Sequence, residues 1–492
     1  MAWIAVDVGT SVVKAVAFDS KGCELALARE KTQILRPHVN FAEQSMSTVW
    51  NSVVRAVRTV AGHLQQPIEG IVTTAQGDGC WLIDAEGHPT GNAILWNDGR
   101  ATEIVEHWRE IGLIAKAFSV SGSVPYAGLS NAIINWLQTN LPDQLASSRY
   151  VLTCNGWIFA QMTGQFVADI SDASNPFSDI RKKKYSEQLI EFYGPGSYGH
   201  LLPPIAQDTE ILAALTPHAA EELGVAANVP VVMAPYDIVS TAYGAGAALP
   251  QQACVILGTT ICAEALTSDL DLRGEPAGTT IALDNGLYLR AMPTLTGCET
   301  LEWVVNLLGL ANIEGLDTLA AKAQPGATGV IFLPYLSPAG ERAPFLEPRA
   351  QGSFHGLTLL HNREDVCRAV YEGLSFAIRE CIEKAAKEIT EVRVCGGGAR
   401  SGFWCQMIAD IAGVTVHRSL ENEVGARGAF LFALKATGVL TSIAEGVLRY
   451  PGKIDTFYPI PEAHKIYSAR FPIFKRMREI AREQWMLNEV RT

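Results

Sequence analysis

The sequence predicts an α/β protein built from two duplicated domains that face one another across a deep cleft. Three observations carry that expectation. The chain has 492 residues, more than one hydrophobic core usually serves. Its opening segments read as three strands, a helix and a further strand. A strand–turn–strand unit with Gly-Thr at its bend occurs at Gly9-Thr10 and again, half a chain later, at Gly258-Thr259.

Each element follows from its local pattern. WIAVDVGT is a buried-strand run ending in a turn, and SVVKAVAFD is a second strand with partial alternation. SKGCELALARE adds a third, with Lys21-Gly22 at the bend. MSTVWNSVVRAVRTVAGHL has apolar residues at helical spacing, with Ser45 or Ser47 as its N-cap. IEGIVTTAQGDG is a strand entering a glycine-rich turn, and CWLIDAEGHPTGNAILWNDGR reads as a hairpin. In VPVVMAPYDIVSTAYGAGA a strand leads into Asp237 and a small-residue helix. The small residues and proline of GAGAALPQQ mark a boundary, giving domains of 1–246 and 247–492. After it, ACVILGTTICAEALT repeats the first hairpin. REDVCRAVYEGLSFAIRECIEKAAKEI reads as a long amphipathic helix, and EVRVCGGGARSGFWCQMIADIAG as strand, triple-glycine turn and helix. Residues 461–490 read as a charged amphipathic terminal helix.

Composition removes several function classes. Apolar residues are 48% and charged residues 18%, a globular mixture. A net charge of −12 argues against nucleic-acid binding, and the short run Arg181-Lys182-Lys183-Lys184 reads as a solvated loop or helix start. The ten cysteines are scattered, without CxxC or zinc-like spacing, which fits a reducing cytoplasm. No signal peptide or membrane span is expected, because Asp7 breaks the apolar N-terminus and no uninterrupted apolar run reaches membrane length.

The chemistry gathers at turns. An Asp at the end of a buried strand is costly unless it binds something, and water-mediated Mg²⁺ suits Asp7. Gly9 lets that turn close on an anion, and Thr10 adds a hydroxyl donor. Lys14 reaches a phosphate or snorkels. Gly258-Thr259-Thr260 is a second phosphate turn. Gly396-Gly397-Gly398, between strand and helix, allows close packing of a flat ligand such as adenosine, and it matches neither a Rossmann fingerprint nor a P-loop. Each of these turns also reads as an ordinary hairpin or tight turn. Asp237 opens a helix, and spacing alone favours an N-cap over a catalytic base. Gln76-Gly77-Asp78 and Trp96 with Asp98 combine amide, carboxylate and aromatic groups of the kind that hold sugars.

Together these segments resemble the FGGY family of carbohydrate kinases, in the actin/hexokinase/Hsp70-like superfamily, along essentially the whole chain. The most specific part is GSFHGLTLLHNREDVCRAVYE, residues 352–372, and LPYLSPAGERAPFLEP resembles the family's Gly-Glu-Arg segment. The resemblance implies two ribonuclease H-like (actin-like ATPase) domains and ATP-dependent phosphorylation of a small sugar. It implies Mg²⁺-ATP on Asp7, Gly9, Thr10, Gly258, Thr259, Thr260, Gly396, Gly397 and Gly398. Asp237 becomes the base, Gln76, Gly77 and Asp78 the sugar loop, and Trp96 the packing aromatic. LWNDGR is similar to xylulose kinases, whereas Gly77-Asp78 and Ile238 depart from their pattern. A pentulose is therefore the expected acceptor, with another ketose, a polyol or an aldonate as alternatives. A nucleotide-driven binding protein of actin or Hsp70 type is the rival class. A homodimer is expected from the resemblance.

Overall fold

The computed structural model describes residues 1–194, 196–206 and 210–487. Each half is organised on one mixed sheet. In the first, β1 (Ala2–Val8), β2 (Val12–Asp19) and β3 (Glu24–Lys31) form the expected meander. All of β1 is buried, which is why it reads as a continuous apolar run rather than an alternating one. α1 (Met46–His63), capped by the Ser45 hydroxyl accepting from the Thr48 N–H, leads to β4 (Ile68–Ala75). β4 lies parallel to β1, and β5 (Leu212–Ala214) and β6 (Pro230–Met233) complete the order β5-β6-β4-β1-β2-β3.

Helix α2 (Asp237–Ala245) ends the first half, and the second sheet repeats the plan. β7 (Gln252–Leu257) pairs antiparallel with β8 (Ile261–Thr267), and β9 (Thr279–Ala282) and β10 (Tyr288–Pro293) extend that edge. α3 (Cys298–Leu307) and α4 (Arg363–Ala385) precede β11 (Glu391–Cys395), which runs parallel to β7. α5 (Gly402–Ala412), a parallel β12 (Thr415–Ser419), α6 (Val424–Ala436), the antiparallel β13 (Ile454–Phe457) and α7 (Pro461–Leu487) follow. The hairpin, its parallel partners and an antiparallel edge recur in the same spatial order, so the duplication extends from one turn to the whole sheet.

Two expectations are corrected. The stretch 80–100 is not a regular hairpin: Trp81–Ile83 pairs with Tyr150–Leu152, and Ala93–Ile94 pairs with Glu43–Gln44. Only isolated bridges, such as Cys80 with Ile94, join its two arms, because each arm is taken up by a partner distant in sequence. α4 is buried on most of its surface rather than on one stripe, since the second core packs around it. Its buried Arg368 is neutralised within the helix by Glu372, at 2.9 Å. The basic run is, as expected, a largely exposed turn; it leads into the short strand Lys184–Tyr185, and the Lys183 ammonium donates to the carbonyl of Leu283 in the second half. The last three residues of the expected terminal helix lie outside the described residues.

The two halves share one apolar cluster, containing Trp3, Val72 and Tyr243 from the first and Cys254, Cys395 and Phe430 from the second. Its centre is the crossing of α2 on α6. A Cβ on Gly244 would meet the Val424 carbonyl at 1.8 Å, and one on Gly428 would meet the Ser240 carbonyl at 1.7 Å. Only glycine allows the two backbones this close. Arg427, which interrupts the small-residue run, is buried and donates to the Gly244 carbonyl at 2.6 Å, so it satisfies the end of α2.

Candidate active site

The ends of β1, β4 and β6 meet the β7–β8 turn around a cavity of about 240 Å³. Its lining includes Thr10, Gly77, Asp78, Trp96, Tyr126 and Asp237 from the first half, and Thr260, Cys262, Thr279 and Arg342 from the second.

At the end of β1, Asp7 faces Lys14 across the β1–β2 pairing, with an ammonium–carboxylate distance of 3.4 Å. Lys14 also reaches Glu423, next to α6, at 3.1 Å, so it bridges carboxylates of both halves. Burial raises the Asp7 carboxyl above its usual range, and Lys14 opposes that rise. The turn closes through Gly9 N–H donating to the Val12 carbonyl at 3.1 Å. The Thr10 hydroxyl donates to Gln76 at 2.7 Å and accepts from the Trp96 indole at 3.0 Å. Gln76 in turn donates to Gln44 at 2.9 Å. Gln76 is thus buried beneath the cavity, holding the turn and the tryptophan, and is not among the lining residues.

Beyond β4, Gly77 lies against the Tyr236 ring, which a Cβ would meet at 2.3 Å. Asp78 adopts the left-handed conformation, φ 57°, open to Asp more readily than to bulkier residues. Its carboxylate accepts from the Tyr126 hydroxyl at 2.6 Å and from Asn175 at 3.1 Å. Burial nevertheless raises it above the usual carboxylate range, outweighing those donors.

Asp98 is a correction. Its side chain is fully buried and accepts from the Ala42 N–H at 2.6 Å and from the Arg100 guanidinium at 2.8 and 2.9 Å. A carboxylate so committed presents nothing to the cavity, although it fixes the loop that carries Trp96. Local spacing concealed this, since an Asp two residues before an Arg reads equally as a ligand or as an ion pair.

Asp237 is the first residue of α2. The N-cap position belongs to Tyr236, with no side-chain cap bond, so the cap reading does not hold. No side chain among the described residues hydrogen-bonds to Asp237. Its carboxyl lines the cavity, and its pKa is pushed up to about 7. Desolvation is the largest cause, followed by the negative charge of Asp7; Asp78 adds to the rise, while the Ile238 N–H and Lys14 act against it.

In the second half, Thr260 reaches the cavity, whereas Gly258 and Thr259 form the turn behind it. The N-terminus of α3 sits on that turn, with the Cys298 N–H donating to the Gly258 carbonyl at 3.0 Å. The triple glycine is alongside. A Cβ on Gly396, φ 90°, would meet the Leu257 carbonyl at 2.7 Å, and one on Gly398 would meet Cys298 Sγ at 2.7 Å. Gly397 is exposed, with nothing within 4 Å of its Cβ position. The two glycine turns are therefore adjacent, and of their residues only Thr260 lines the cavity.

Sequence reasoning missed Tyr126, Asn175, Tyr236 and Arg342. Only Arg342 carried a signal, as part of the Gly-Glu-Arg segment; long-range folding places the others. Among the described residues no three carboxylate, His or Cys side chains are grouped to hold a metal ion. A divalent cation held mostly by phosphate oxygens and water, with a carboxylate such as Asp7 beyond the water, fits this donor set.

Known proteins resemble this chain along nearly its whole length. Residues 2–244 match the N-terminal domain model of the FGGY family of carbohydrate kinases, and residues 253–437 match its C-terminal domain model. L-xylulose/3-keto-L-gulonate kinase of Escherichia coli is 30% identical over 487 residues, covering 96% of each chain. Erythritol kinase of Brucella abortus is 29% identical over 468 residues, covering 91% of this chain and 89% of that one. Among solved structures, gluconate kinase from Lactobacillus acidophilus superposes with a TM-score of 0.93 at 21% identity, covering 99% of both chains. Xylulose kinase from the same organism gives 0.90 at 22% identity, covering 97% of this chain and 98% of the other. These neighbours share the duplicated two-domain fold. No helix among the described residues is long and apolar enough to cross a membrane. The chain belongs to the FGGY family of carbohydrate kinases.

Proposed function

We propose that this ATP-dependent carbohydrate kinase takes a pentulose such as xylulose as acceptor and uses Asp237 as its general base. The observation that carries the reading is a cavity-facing carboxyl, unbonded to any described side chain, whose pKa of about 7 matches a neutral working pH. As the acceptor hydroxyl attacks the γ-phosphorus of ATP, its proton passes to Asp237 and the bond to the leaving β-phosphate oxygen breaks. Trp96 packs on the acceptor's C–H face, and Asp78 accepts from its hydroxyls. Gly9, Thr10 and the turn at Gly258, Thr259 and Thr260 present donors to the phosphates from opposite halves. Gly396, Gly397 and Gly398 give the adenosine an open face. Magnesium would neutralise phosphate charge, and Asp7 would hold it through water, with Lys14 beside it.

The pentulose assignment rests on LWNDGR and on relatives named as xylulose and L-xylulose kinases. One of these is also named for 3-keto-L-gulonate and another relative for erythritol, so a polyol or sugar acid is the second reading. The division at 246–247, a cytoplasmic setting and a homodimer belong to the same proposal; light scattering at the mass of one chain would contradict the dimer. The deciding experiment is coupled ADP release over ketopentoses, ketohexoses, polyols and aldonates. The largest kcat/KM is expected for a ketopentose. A larger value for a polyol or an aldonate contradicts the assignment.

A further inference from the structure

The cleft contains a cation that the reaction scheme above does not use. Arg342 lies in a loop from the second half that the protein holds rigidly. The Glu341 and Glu347 backbones bond one another at 2.9 and 2.8 Å. The buried Glu341 carboxylate accepts from the N–H groups of Leu295 at 2.8 Å and Arg342 at 2.9 Å. The Arg342 side chain is then fixed at its inner nitrogen, Nε, which donates to the Pro293 carbonyl at 3.0 Å. Its guanidinium carbon sits 5.3 Å from the centre of the Tyr126 ring, in the first half. Neither terminal nitrogen has a hydrogen-bond partner among the described residues, and Arg342 lines the cavity. A planar fork of donors, immobilised at its base and open at its tip, is a built receptor for oxygen.

Its location decides which oxygen. The Tyr126 ring beneath it donates through its hydroxyl to Asp78, placing Arg342 on the Asp78 side of the cavity. Its anchor Pro293 pairs with Cys262 just beyond the Thr260 turn, and Lys14 and Asp7, which face the phosphates in the proposed arrangement, pair with each other. A planar fork suits the in-plane lone pairs of a carbonyl or carboxylate better than a single tetrahedral hydroxyl.

Resting on the proposed placement of the acceptor in this cavity, we infer that Arg342 is a specificity-determining acceptor contact supplied across the cleft. Its terminal nitrogens donate to the carbonyl oxygen of a keto sugar, so the enzyme distinguishes a ketose from the polyol formed by reducing it. The test compares xylulose with xylitol in the parent enzyme, Arg342→Gln and Arg342→Lys, by coupled ADP release with both KM values measured. The parent favours xylulose, and Arg342→Gln lowers that preference on the order of 10- to 100-fold, the worth of a charge-assisted hydrogen bond. The KM for ATP stays within about twofold. Arg342→Lys keeps the charge against Tyr126 but not the fork, so it also loses the preference and guards against misfolding of the Gln variant. Unequal losses for the two acceptors support the inference. Equal losses, as expected if the fork held the transferred phosphoryl group, overturn it alone. A parent enzyme inactive on every ketose overturns both this inference and the pentulose assignment.

Discussion

A carboxylate in water is ionised well below neutrality and is a poor base for a hydroxyl proton; the pKa of about 7 at Asp237 makes it a better one. Burial is the main cause, with the charges of Asp7 and Asp78 adding to it. A base must be deprotonated to act, so kcat/KM should rise with pH through a limb near 7 and fall away in acid. Replacing Asp78 by Asn removes one negative neighbour, so that limb should move to lower pH, measured as the pH profile of kcat/KM. A limb that stays in place or moves up contradicts the assignment. Part of this was readable from sequence: the strand before Asp237 and the helix after it placed a carboxylate at a helix start. What spacing could not reveal is that Tyr236 takes the cap position and leaves Asp237 facing a cavity. Asp98 shows the converse, because a loop with ligand-like composition uses its carboxylate on Arg100.

Among the elements, strands and turns were more readable than their partners. The β1–β3 meander and the β7–β8 hairpin follow from periodicity and turn residues, which act locally. The arms of 80–100 were misassigned because their partners, Tyr150–Leu152 and Glu43–Gln44, are remote in sequence. The buried face of α4 was underestimated because an internal Arg368–Glu372 pair reads as a polar stripe. The α2–α6 crossing gives a test at this scale. With the Gly244 Cβ position 1.8 Å from a carbonyl, Gly244→Ala must push two helices apart. That should lower the melting temperature by about 5 °C or more. Gly62→Ala, at an open site in α1, should leave it unchanged or slightly raised. Similar melting temperatures for the two variants would show that the crossing is not tightly packed.

For the whole molecule, the cavity exists because the two halves meet. The loop 122–126 is tied to the second sheet by Val124 N–H donating to the Gly278 carbonyl at 2.9 Å and by the Thr280 hydroxyl donating to the Gly122 carbonyl at 2.7 Å. Val124, Pro125, Tyr126, Gly278 and Thr279 then enclose one side of the cavity. Closing the halves further over a bound acceptor would exclude water, which otherwise competes with it for the phosphoryl group. Thr280→Val removes one tie without changing a lining residue, so the acceptor KM should rise by about 2- to 10-fold. An unchanged KM would mean that this contact does not bias closure. The duplication behind this arrangement was visible as a repeated Gly-Thr turn, whereas the tie between halves was not, since Ser, Thr and Gly carry no pattern that names a partner. The central claim is that Asp237 takes the acceptor's proton inside this cavity, and turnover by Asp237→Asn tests it most directly. With saturating Mg²⁺-ATP and acceptor, kcat should fall about 10²- to 10⁴-fold while ATP affinity is largely kept. Turnover near the parent value would contradict it.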